Sequence, residues 1–252
     1  MSSTQDFAFK IIKRKKKINP SVILSDMQTT GKGRRGNTWS SPEGGIWMSL
    51  ILETKLKIEN LIYFLMISAI CICKTIEEET NLRPDLKWPN DIFINGKKIA
   101  GVLLDIDTDI DKGITRIIIG MGINTNNDLN LTQDEIKKNT PLHYQVTTLK
   151  NELNVTKISN IYFLSKLLNN LNTYFLKINN TPLFDKIILE NYRKRIMNSK
   201  NYLCYSFKTN DNISFEGELI DVLRDGSLRV KDVQQKKVIK IFSVNNLDLN
   251  RL

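Results

Sequence analysis

The strongest chemical signal in the chain is a short loop in which glycines alternate with cations. Residues 30–42 read Thr-Gly-Lys-Gly-Arg-Arg-Gly-Asn-Thr-Trp-Ser-Ser-Pro. Glycine lets the backbone approach a ligand closely, and lysine and arginine beside exposed N–H groups bind anions. The loop is not a P-loop, because Gly-x-x-x-x-Gly-Lys-Ser/Thr is absent, and its polar continuation to Pro42 does not begin a dinucleotide-binding helix. We therefore expect it to close over an anion, with phosphate as the first candidate.

Two further motifs combine polar side chains with strand ends. Residues 87–91 read Lys-Trp-Pro-Asn-Asp, and Lys98 follows on the expected return strand. Amide and carboxylate oxygens are ligands that magnesium accepts, so Asn90 and Asp91 are candidate ligands beside a phosphate. The third motif, Gly-Met-Gly-Ile-Asn at 120–124, ends an apolar strand with glycines that would admit a flat ligand close to the backbone.

These three motifs, in this order and at these spacings, resemble the catalytic domain of biotin protein ligases over about residues 2–200. The resemblance implies an α+β fold of the class II synthetase-like biotin/lipoate ligase type, with a mixed, mainly antiparallel sheet flanked by helices. Residues 1–200 would form this catalytic domain. Residues 201–252 would form the small C-terminal SH3-like β-barrel of the family.

The resemblance also implies a reaction in two steps. The biotin carboxylate attacks the α-phosphate of ATP to give biotinyl-5′-AMP and pyrophosphate, and a lysine of a biotin carboxyl carrier protein then takes the biotinyl group. A carboxylate approaching a polyphosphate meets like-charge repulsion, which the lysines and arginines of the motifs and a Mg²⁺ ion would offset. The expected substrates are therefore biotin and ATP, and the expected cofactor is Mg²⁺.

The resemblance assigns roles to individual positions. The implied biotin-binding residues are Ser3, Thr4, Gln5, Gln28, Gly31, Lys32, Gly33, Arg34, Lys98, Gly101 and Gly122. The implied nucleotide-binding residues are Arg34, Arg35, Trp39, Asn90, Lys98 and Asn124. The implied catalytic residues are Lys98, Arg34, Lys87 and Asp91, with Asn90 and Asp91 as metal ligands.

The chain departs from the family loop at one position, and one segment admits a second interpretation. The family loop has arginine where this chain has Lys32, and lysine keeps the charge while losing the bidentate fork of the guanidinium. The Ser3–Gln5 segment also suits the cap of a helix that begins at Asp6, because serine and threonine accept hydrogen bonds from the first helical amides.

Composition sets broad limits. The chain has 252 residues, a net charge of +10, one histidine and three cysteines. We expect Cys71, Cys73 and Cys204 to be reduced thiols in a cytoplasmic protein and His143 to be an ordinary residue outside any metal site. The apolar run at 61–73 is too short to span a bilayer, which takes about 20 residues, so we expect a buried helix there.

The hydrophobic pattern predicts the order of the elements. Helices are expected at 7–17, 59–79, 159–178 and 182–197, and strands at 22–25, 45–53, 86–88, 92–94, 98–105, 115–122, 205–208, 212–222, 227–230 and 237–242. Asn95-Gly96 between apolar flanks predicts a tight hairpin.

Two other functions fit parts of the sequence. A lipoate or octanoyl transferase would share the fold, and a nucleic-acid-binding protein would use the Lys13–Lys17 run together with aromatic residues on the barrel. Family members that act as repressors carry a helix-turn-helix domain before the catalytic domain. Because this sequence has no room for such a domain before the first motif, we expect no sequence-specific DNA binding. A monomer and a homodimer both remain open, and no membrane partner is expected.

Overall fold

The computed structural model describes eight segments of the chain: residues 1–14, 19–56, 60–109, 114–129, 145–178, 184–197, 204–208 and 214–242. Some of the sequence predictions fall elsewhere. The basic run at 15–17, His143, the side chain of Cys204 and the domain boundary near residue 200 lie outside the described residues.

A six-stranded sheet forms the body of the protein, with the strand order β1-β2-β6-β5-β4-β3. Every strand pairing described in it is antiparallel, and a single parallel bridge joins Lys98 to Val146. The strands are β1 (Ser21–Ser25), β2 (Ile46–Thr54), β3 (Asp85–Lys87), β4 (Asp91–Ile94), β5 (Lys97–Asp109) and β6 (Ile114–Ile123). The predicted mainly antiparallel sheet is confirmed.

Helices flank this sheet. They are α1 (Thr4–Arg14), α2 (Ile62–Thr80), α3 (Leu149–Leu153), α4 (Asn160–Ile178) and α5 (Phe184–Met197). The larger apolar core joins α2, α4 and α5 to one face of the sheet, and a small cluster on the other face joins Ala8 and Ile12 of α1 to Ile51 and Ile118. Because β2 and β6 are covered on both faces, their sequences are apolar at nearly every position.

The long apolar helix α2 is buried along most of its length, as predicted, and ends at Asn81 in the left-handed conformation. Its cysteines Cys71 and Cys73 are fully buried free thiols. Burial raises the pKa of both thiols, that of Cys73 to about 12. They are therefore packing residues and weak nucleophiles at neutral pH.

Several element bounds differ from the prediction. Helix α1 begins at Thr4 because the Ser3 hydroxyl accepts a hydrogen bond from the Asp6 amide, and β5 continues to Asp109 in register with β6. The pattern did not predict α3, which is only five residues long. The hairpin between β4 and β5 is confirmed, with Asn95 and Gly96 both at positive φ.

A four-stranded antiparallel sheet follows α5, in the order β10-β9-β8-β7, and is compatible with the small SH3-like domain. Its strands are β7 (Cys204–Lys208), β8 (Ser214–Val222), β9 (Leu228–Asp232) and β10 (Val238–Ile241). It packs on the larger sheet through the turn after β3, where the Trp88 indole N–H donates to the Gly226 carbonyl at 2.8 Å. Arg193 of α5 donates to the Val222 carbonyl at 2.6 Å.

Within the described segments no helix has the length and apolar character needed to cross a membrane.

Gly226 should be a stability-determining residue at the contact between the two sheets. It has φ +78°, and a Cβ placed on it would lie 2.5 Å from Ile62 Cγ1. Gly226→Ala therefore combines backbone strain with a clash and should lower the free energy of unfolding by about 2–4 kcal/mol. Gly36→Ala is the matched control, because Gly36 has φ +76° and no atom within 4 Å of its Cβ position. Its cost should be only about 1 kcal/mol. Equal losses in urea unfolding of the two variants would contradict the packing assigned to Gly226.

Candidate active site

Three glycines clear part of one face of the two central strands of side chains. Gly101 of β5 pairs with Gly122 of β6. Gly120 lies two residues before Gly122 in β6 and therefore faces the same side of the sheet. The same row of the sheet carries Asp91 opposite Gly101 and Trp47 opposite Gly122. We call Gly101, Gly120 and Gly122 the glycine strip. It lies on the α1 side of the sheet, away from the large core.

The indole of Trp39 lies on the glycine strip. A Cβ placed on Gly122 would be 2.5 Å from Trp39 Nε1, and one placed on Gly101 would be 3.0 Å from Trp39 Cζ3. The Trp39 Nε1 atom is buried and has no hydrogen-bond partner. The resemblance implied that Trp39 binds the nucleotide and that Gly101 and Gly122 bind biotin. In the structure the indole lies directly against both glycines.

Lys98 lies beside this indole. Its ammonium is 2.6 Å from Asp91 Oδ2 and 5.0 Å from the centroid of the Trp39 ring. Lys98 is largely buried, and the second oxygen of Asp91, Oδ1, is buried with no hydrogen-bond partner. A buried cation is thus fixed by one carboxylate oxygen next to a surface cleared of side chains, which suits binding of an anion or a carbonyl group.

The glycine-rich loop folds back on itself beside the strip. The Trp39 amide donates to the Gly31 carbonyl at 2.9 Å, and the Gly33 amide donates to the Asn37 carbonyl at 2.7 Å. A Cβ on Gly31 would lie 2.2 Å from the Trp39 carbonyl oxygen. The first glycine of the motif is therefore required for close packing of the loop.

Two cations of the loop attach it to separate elements. Lys32 Nζ pairs with Asp6 Oδ1 of α1 at 2.5 Å, and Arg34 Nη1 donates to Asn90 Oδ1 in the turn after β3 at 3.0 Å. The Lys32 side chain is 50% exposed. Two of the predicted site residues, Arg34 and Asn90, are thus in direct contact, whereas Lys32 pairs with the start of α1.

A polar cluster lies at the N-terminus of α1, among residues to which the resemblance assigned biotin binding. Gln28 Oε1 accepts from the Thr4 amide at 2.8 Å, and Gln28 Nε2 donates to Ser41 Oγ at 2.8 Å. Ser49 Oγ is 2.9 Å from Thr4 Oγ1 and donates to Gln5 Oε1 at 2.8 Å. Amide and hydroxyl groups both donate and accept, so this cluster matches a ligand that carries both functions.

Gln5 links the cluster to the glycine strip. Its Nε2 donates to Asp105 Oδ2 at 2.9 Å and to the Ile118 carbonyl at 3.2 Å. A Cβ on Gly120 would lie 2.8 Å from Gln5 Oε1, so the glycine makes room for the amide. Ser3 is buried and caps α1, as the second interpretation of this segment predicted, although the helix begins at Thr4 and not at Asp6. Biotin binding by this segment stays a prediction.

Two asparagines close the site at the end of β6. Asn124 is buried, and its amide donates to the Ile99 carbonyl at 2.9 Å. Asn127 Nδ2 donates to Asn124 Oδ1 at 3.2 Å, while Asn127 Oδ1 is buried without a partner. At the other end, Asn90 Nδ2 donates to the Val102 carbonyl at 2.9 Å.

The remaining predicted residues lie at the margin. Lys87 is opposite Asp91 in the strand register, and its ammonium lies 5.6 Å from the Phe93 ring centroid. Arg35 belongs to a short 3₁₀ turn, Arg34–Gly36, and its side chain lies outside the described part of the structure.

The donor set for a metal is small. Over the described ranges no group of three or more histidine, cysteine, aspartate or glutamate side chains is placed to hold an ion. Asp91 Oδ1 is a buried oxygen without a hydrogen-bond partner, and Asn90 Oδ1 already accepts from Arg34. This set fits Mg²⁺ only in the way that is common for nucleotide-bound magnesium, where one or two carboxylates and the substrate phosphates share the ion.

Sequence reasoning missed several members of the site. Ser49 is fully buried within the apolar strand β2, and a polar residue there required a partner; that requirement was a usable signal. Ser41 gave no comparable signal, because it lies in a polar loop, where serine is common.

One contact among the described residues would fit the alternative function of nucleic-acid binding. Lys240 lies 4.7 Å from the ring centroid of the exposed Phe242 on the small sheet. The side chains of Tyr202, Tyr205, Phe207 and Phe215 lie outside the described set, and Lys13 is exposed at the end of α1. One cation–aromatic pair is less than the row of stacking platforms that single-strand binding uses.

Comparison with known proteins agrees with this geometry. Residues 1–124 match the model of the biotin/lipoate A/B protein ligase family. The chain is 38% identical over 138 residues to the bifunctional ligase/repressor BirA of Bacillus subtilis, covering 54% of this chain and 42% of that protein. It is 29% identical over 104 residues to the biotin–[acetyl-CoA-carboxylase] ligase of Paracoccus denitrificans, covering 40% of this chain and 43% of that protein.

Solved structures extend the likeness to the whole fold. Biotin protein ligase from Aquifex aeolicus, in complex with biotin and ATP, superposes with a TM-score of 0.77 at 24% identity, covering all of this chain and 96% of that one. At this identity the likeness shows a shared fold, and the family match is confined to residues 1–124. The chain spans less than half the length of the two curated relatives described above.

The contact between Trp39 and the glycine strip predicts a fluorescence change. Gly122→Ala should displace the indole from the sheet and increase quenching of Trp39 by acrylamide, because Trp47 and Trp88 are both buried. Gly120→Ala is the control, since its added Cβ would meet Gln5 and not the indole. A variant with Trp39→Phe gives the background signal. If the quenching constants of the two glycine variants are equal, the indole does not lie on Gly122.

Proposed function

We propose that the protein is a biotin–protein ligase, which activates biotin with ATP and transfers it to a lysine of a biotin carboxyl carrier protein. The observation that carries the proposal is the convergence of Lys98, Asp91, Trp39 and the glycine strip beside the polar cluster at the start of α1. The family of residues 1–124 and the ligands named for the Aquifex structure support the same chemistry.

The polar cluster suits the ureido ring of biotin. A cyclic urea carries one strong acceptor and two N–H donors, and Thr4, Gln28 and Ser49 offer hydroxyl and amide groups of both kinds. The glycine strip then provides a flat floor for the bicyclic ring and its acyl chain, provided that the Trp39 indole moves off the strip. The carboxylate at the end of that chain would lie near Lys98.

In the first step the biotin carboxylate and the ATP phosphates repel each other, and the cations of the site would offset this repulsion. A biotin oxygen attacks the α-phosphorus of ATP, the bond from that phosphorus to the bridging oxygen breaks, and pyrophosphate leaves with the electron pair. Lys98 stabilises the negative charge on the reacting oxygens, and Arg34 neutralises the nucleotide phosphates. No nucleophilic side chain is needed, so the rate gain comes from positioning and electrostatics.

Mg²⁺ would be held by Asp91 and, after release from Arg34, by Asn90, with the phosphates of ATP supplying further oxygens. When bound, the ion would withdraw charge from the polyphosphate. In this proposal Asn124, just after β6, would contact the nucleotide, and the Trp39 indole, once displaced, would stack on the base.

The second step moves the biotinyl group. The neutral amine of the carrier lysine attacks the acyl carbon, the bond to the phosphate oxygen breaks and AMP leaves. The acyl-adenylate hydrolyses in water, so the loop at 31–39 must cover it until the carrier arrives. Lys87, at the margin of the site, would attract the leaving phosphate or favour the neutral form of the incoming amine.

The wider setting follows the same proposal. Residues 1–200 act as the catalytic domain and residues 201–252 as the small C-terminal domain. The free thiols Cys71 and Cys73 favour a reducing compartment such as the cytoplasm. The partner in this proposal is the carrier domain of a carboxylase.

The direct test is a mixture of the protein, biotin, Mg-ATP and a biotin carboxyl carrier domain, analysed by intact mass. A mass increase of one biotinyl group on the carrier is the expected result. Biotin-dependent exchange of pyrophosphate into ATP tests the first step alone. Exchange with lipoate but not with biotin would overturn the proposal in favour of a lipoate enzyme, which the family model also includes.

Lys98 should be required for adenylate formation. Lys98→Ala removes the ammonium that stabilises the reacting oxygens, and biotin-dependent pyrophosphate exchange should fall about 100-fold to 1000-fold. Lys231→Ala, which removes an exposed lysine of β9, should leave exchange unchanged. Circular dichroism checks that the variant is folded, because Asp91 loses its partner. Exchange near the wild-type rate in folded Lys98→Ala protein would refute the role of Lys98.

Arg34 should retain the adenylate. Arg34→Gly removes the cation that joins the loop to Asn90, and the dissociation rate of biotinyl-5′-AMP should rise about 10-fold to 100-fold, as expected for loss of one charge-assisted hydrogen bond. Arg83→Gly is the control, because Arg83 is an exposed arginine outside the site. Rapid-filtration release of labelled adenylate measures the rate. An unchanged rate would mean that the loop does not hold the intermediate through Arg34.

A further inference from the structure

Helix α3 and the residues before it lie against the two strand ends that carry the site. Residue Lys98 is hydrogen-bonded on both sides of its backbone, because its amide donates to the Gln145 carbonyl at 2.8 Å and its carbonyl accepts from the Thr147 amide at 2.9 Å. The Leu149 amide donates to the Asn124 carbonyl at 3.0 Å. One short segment thus fixes the start of β5 and the end of β6.

Glu152 of α3 holds this segment together. Its Oε1 accepts from Thr147 Oγ1 at 2.6 Å and from Lys97 Nζ at 3.3 Å, and its Oε2 accepts from Asn95 Nδ2 at 2.7 Å. Only 7% of the Glu152 side chain is exposed. A single buried carboxylate therefore joins the β4–β5 hairpin to the strand-like residues that flank Lys98.

Glu152 is ionised at neutral pH. Burial, the largest single influence, raises its pKa, but the hydrogen bonds from Thr147 and Asn95 and the charge of Lys97 outweigh burial and hold the pKa below its ordinary value. A buried carboxylate with three donors is rigid, because moving any partner leaves an unsatisfied charge. The arrangement is thus suited to fixing geometry.

The position of this carboxylate bears on Lys98 and not on the substrate. Consecutive side chains of a strand point to opposite faces, so Lys97 extends to Glu152 while Lys98 extends to Asp91 and the glycine strip. Glu152 holds Lys97, which precedes Lys98 in β5, and Thr147, whose amide donates to the Lys98 carbonyl. Both contacts restrain the backbone of Lys98. A displacement of about 1 Å in a catalytic group lowers rates up to about 100-fold, so such fixation has a kinetic value.

We propose that Glu152 is a positioning residue for Lys98: through Thr147, Lys97 and Asn95 it sets the place of the ammonium that serves adenylate formation. The kinetic part of this inference rests on the proposed function. The structural part, that Glu152 orders the backbone around Lys98, stands independently of the substrate.

The kinetic test compares two isosteric variants with a matched control. Glu152→Gln removes the charge and turns one acceptor into a donor, and Thr147→Val removes the hydroxyl that Glu152 binds. Glu78→Gln is the control, because Glu78 also accepts from a lysine and an asparagine, Lys74 and Asn170, but on α2. Biotin-dependent pyrophosphate exchange is measured per active site, with the sites counted from the burst of adenylate.

Positioning predicts a loss in kcat with little change in KM. For Glu152→Gln we expect kcat about 10-fold lower and the KM for biotin within about twofold of wild type. Thr147→Val should have a smaller effect in the same direction, and the double variant should be no worse than Glu152→Gln, because both act through one contact. Glu78→Gln should have wild-type kcat. A kcat per site within about twofold of wild type in Glu152→Gln would overturn the inference.

Hydrogen exchange separates this inference from the proposed function. Peptides that contain the amides of Lys98 and Thr147 should exchange faster in Glu152→Gln than in wild type or Glu78→Gln, whatever the substrate. If the wild-type protein shows no biotin-dependent pyrophosphate exchange, the proposed function is refuted, but the hydrogen-exchange result still tests whether Glu152 orders the backbone around Lys98. Unchanged protection of the two amides in Glu152→Gln would refute the positioning role even if the enzyme proves active.

Discussion

The site depends on the absence of side chains from one small area of a covered sheet. Antiparallel strands bring opposite residues within about 5 Å, so side chains on β5 and β6 would normally fill the space above the sheet. Gly101, Gly120 and Gly122 leave that space open on the α1 face, and the indole of Trp39 and the amide of Gln5 occupy it. The opposite face carries the large core, so the cleared area costs the fold little apolar contact.

Charge balance is the second requirement. A largely buried cation is costly without an acceptor, and Lys98 has one in Asp91. The loop cations Lys32 and Arg34 also have acceptors, Asp6 and Asn90. An anionic substrate would then exchange with acceptors already in place, which limits the reorganisation that binding demands.

The sequence predicted local features well and distant contacts poorly. The glycine-rich loop, the Asn95-Gly96 hairpin and the alternating strands followed from residue types within a few positions. The position of Trp39 on Gly101 and Gly122 did not, because more than sixty residues separate the partners. Helix α3 was missed since five residues give too little periodicity, and the role of Glu152 depends on partners up to 57 residues away. The domain boundary and the individual ligand assignments remain predictions.

Two of the side-chain contacts that hold the glycine-rich loop differ in their sensitivity to ionic strength. The Lys32–Asp6 pair is half exposed, and dissolved ions weaken such a pair readily. The Arg34–Asn90 hydrogen bond joins a cation to a neutral amide in a partly buried place, where screening is weak. Raising the salt concentration should therefore weaken the Lys32–Asp6 contact before the Arg34–Asn90 contact. The loop would then loosen at Lys32 while Thr30 stays bonded to the Ser2 carbonyl and Arg34 to the turn after β3.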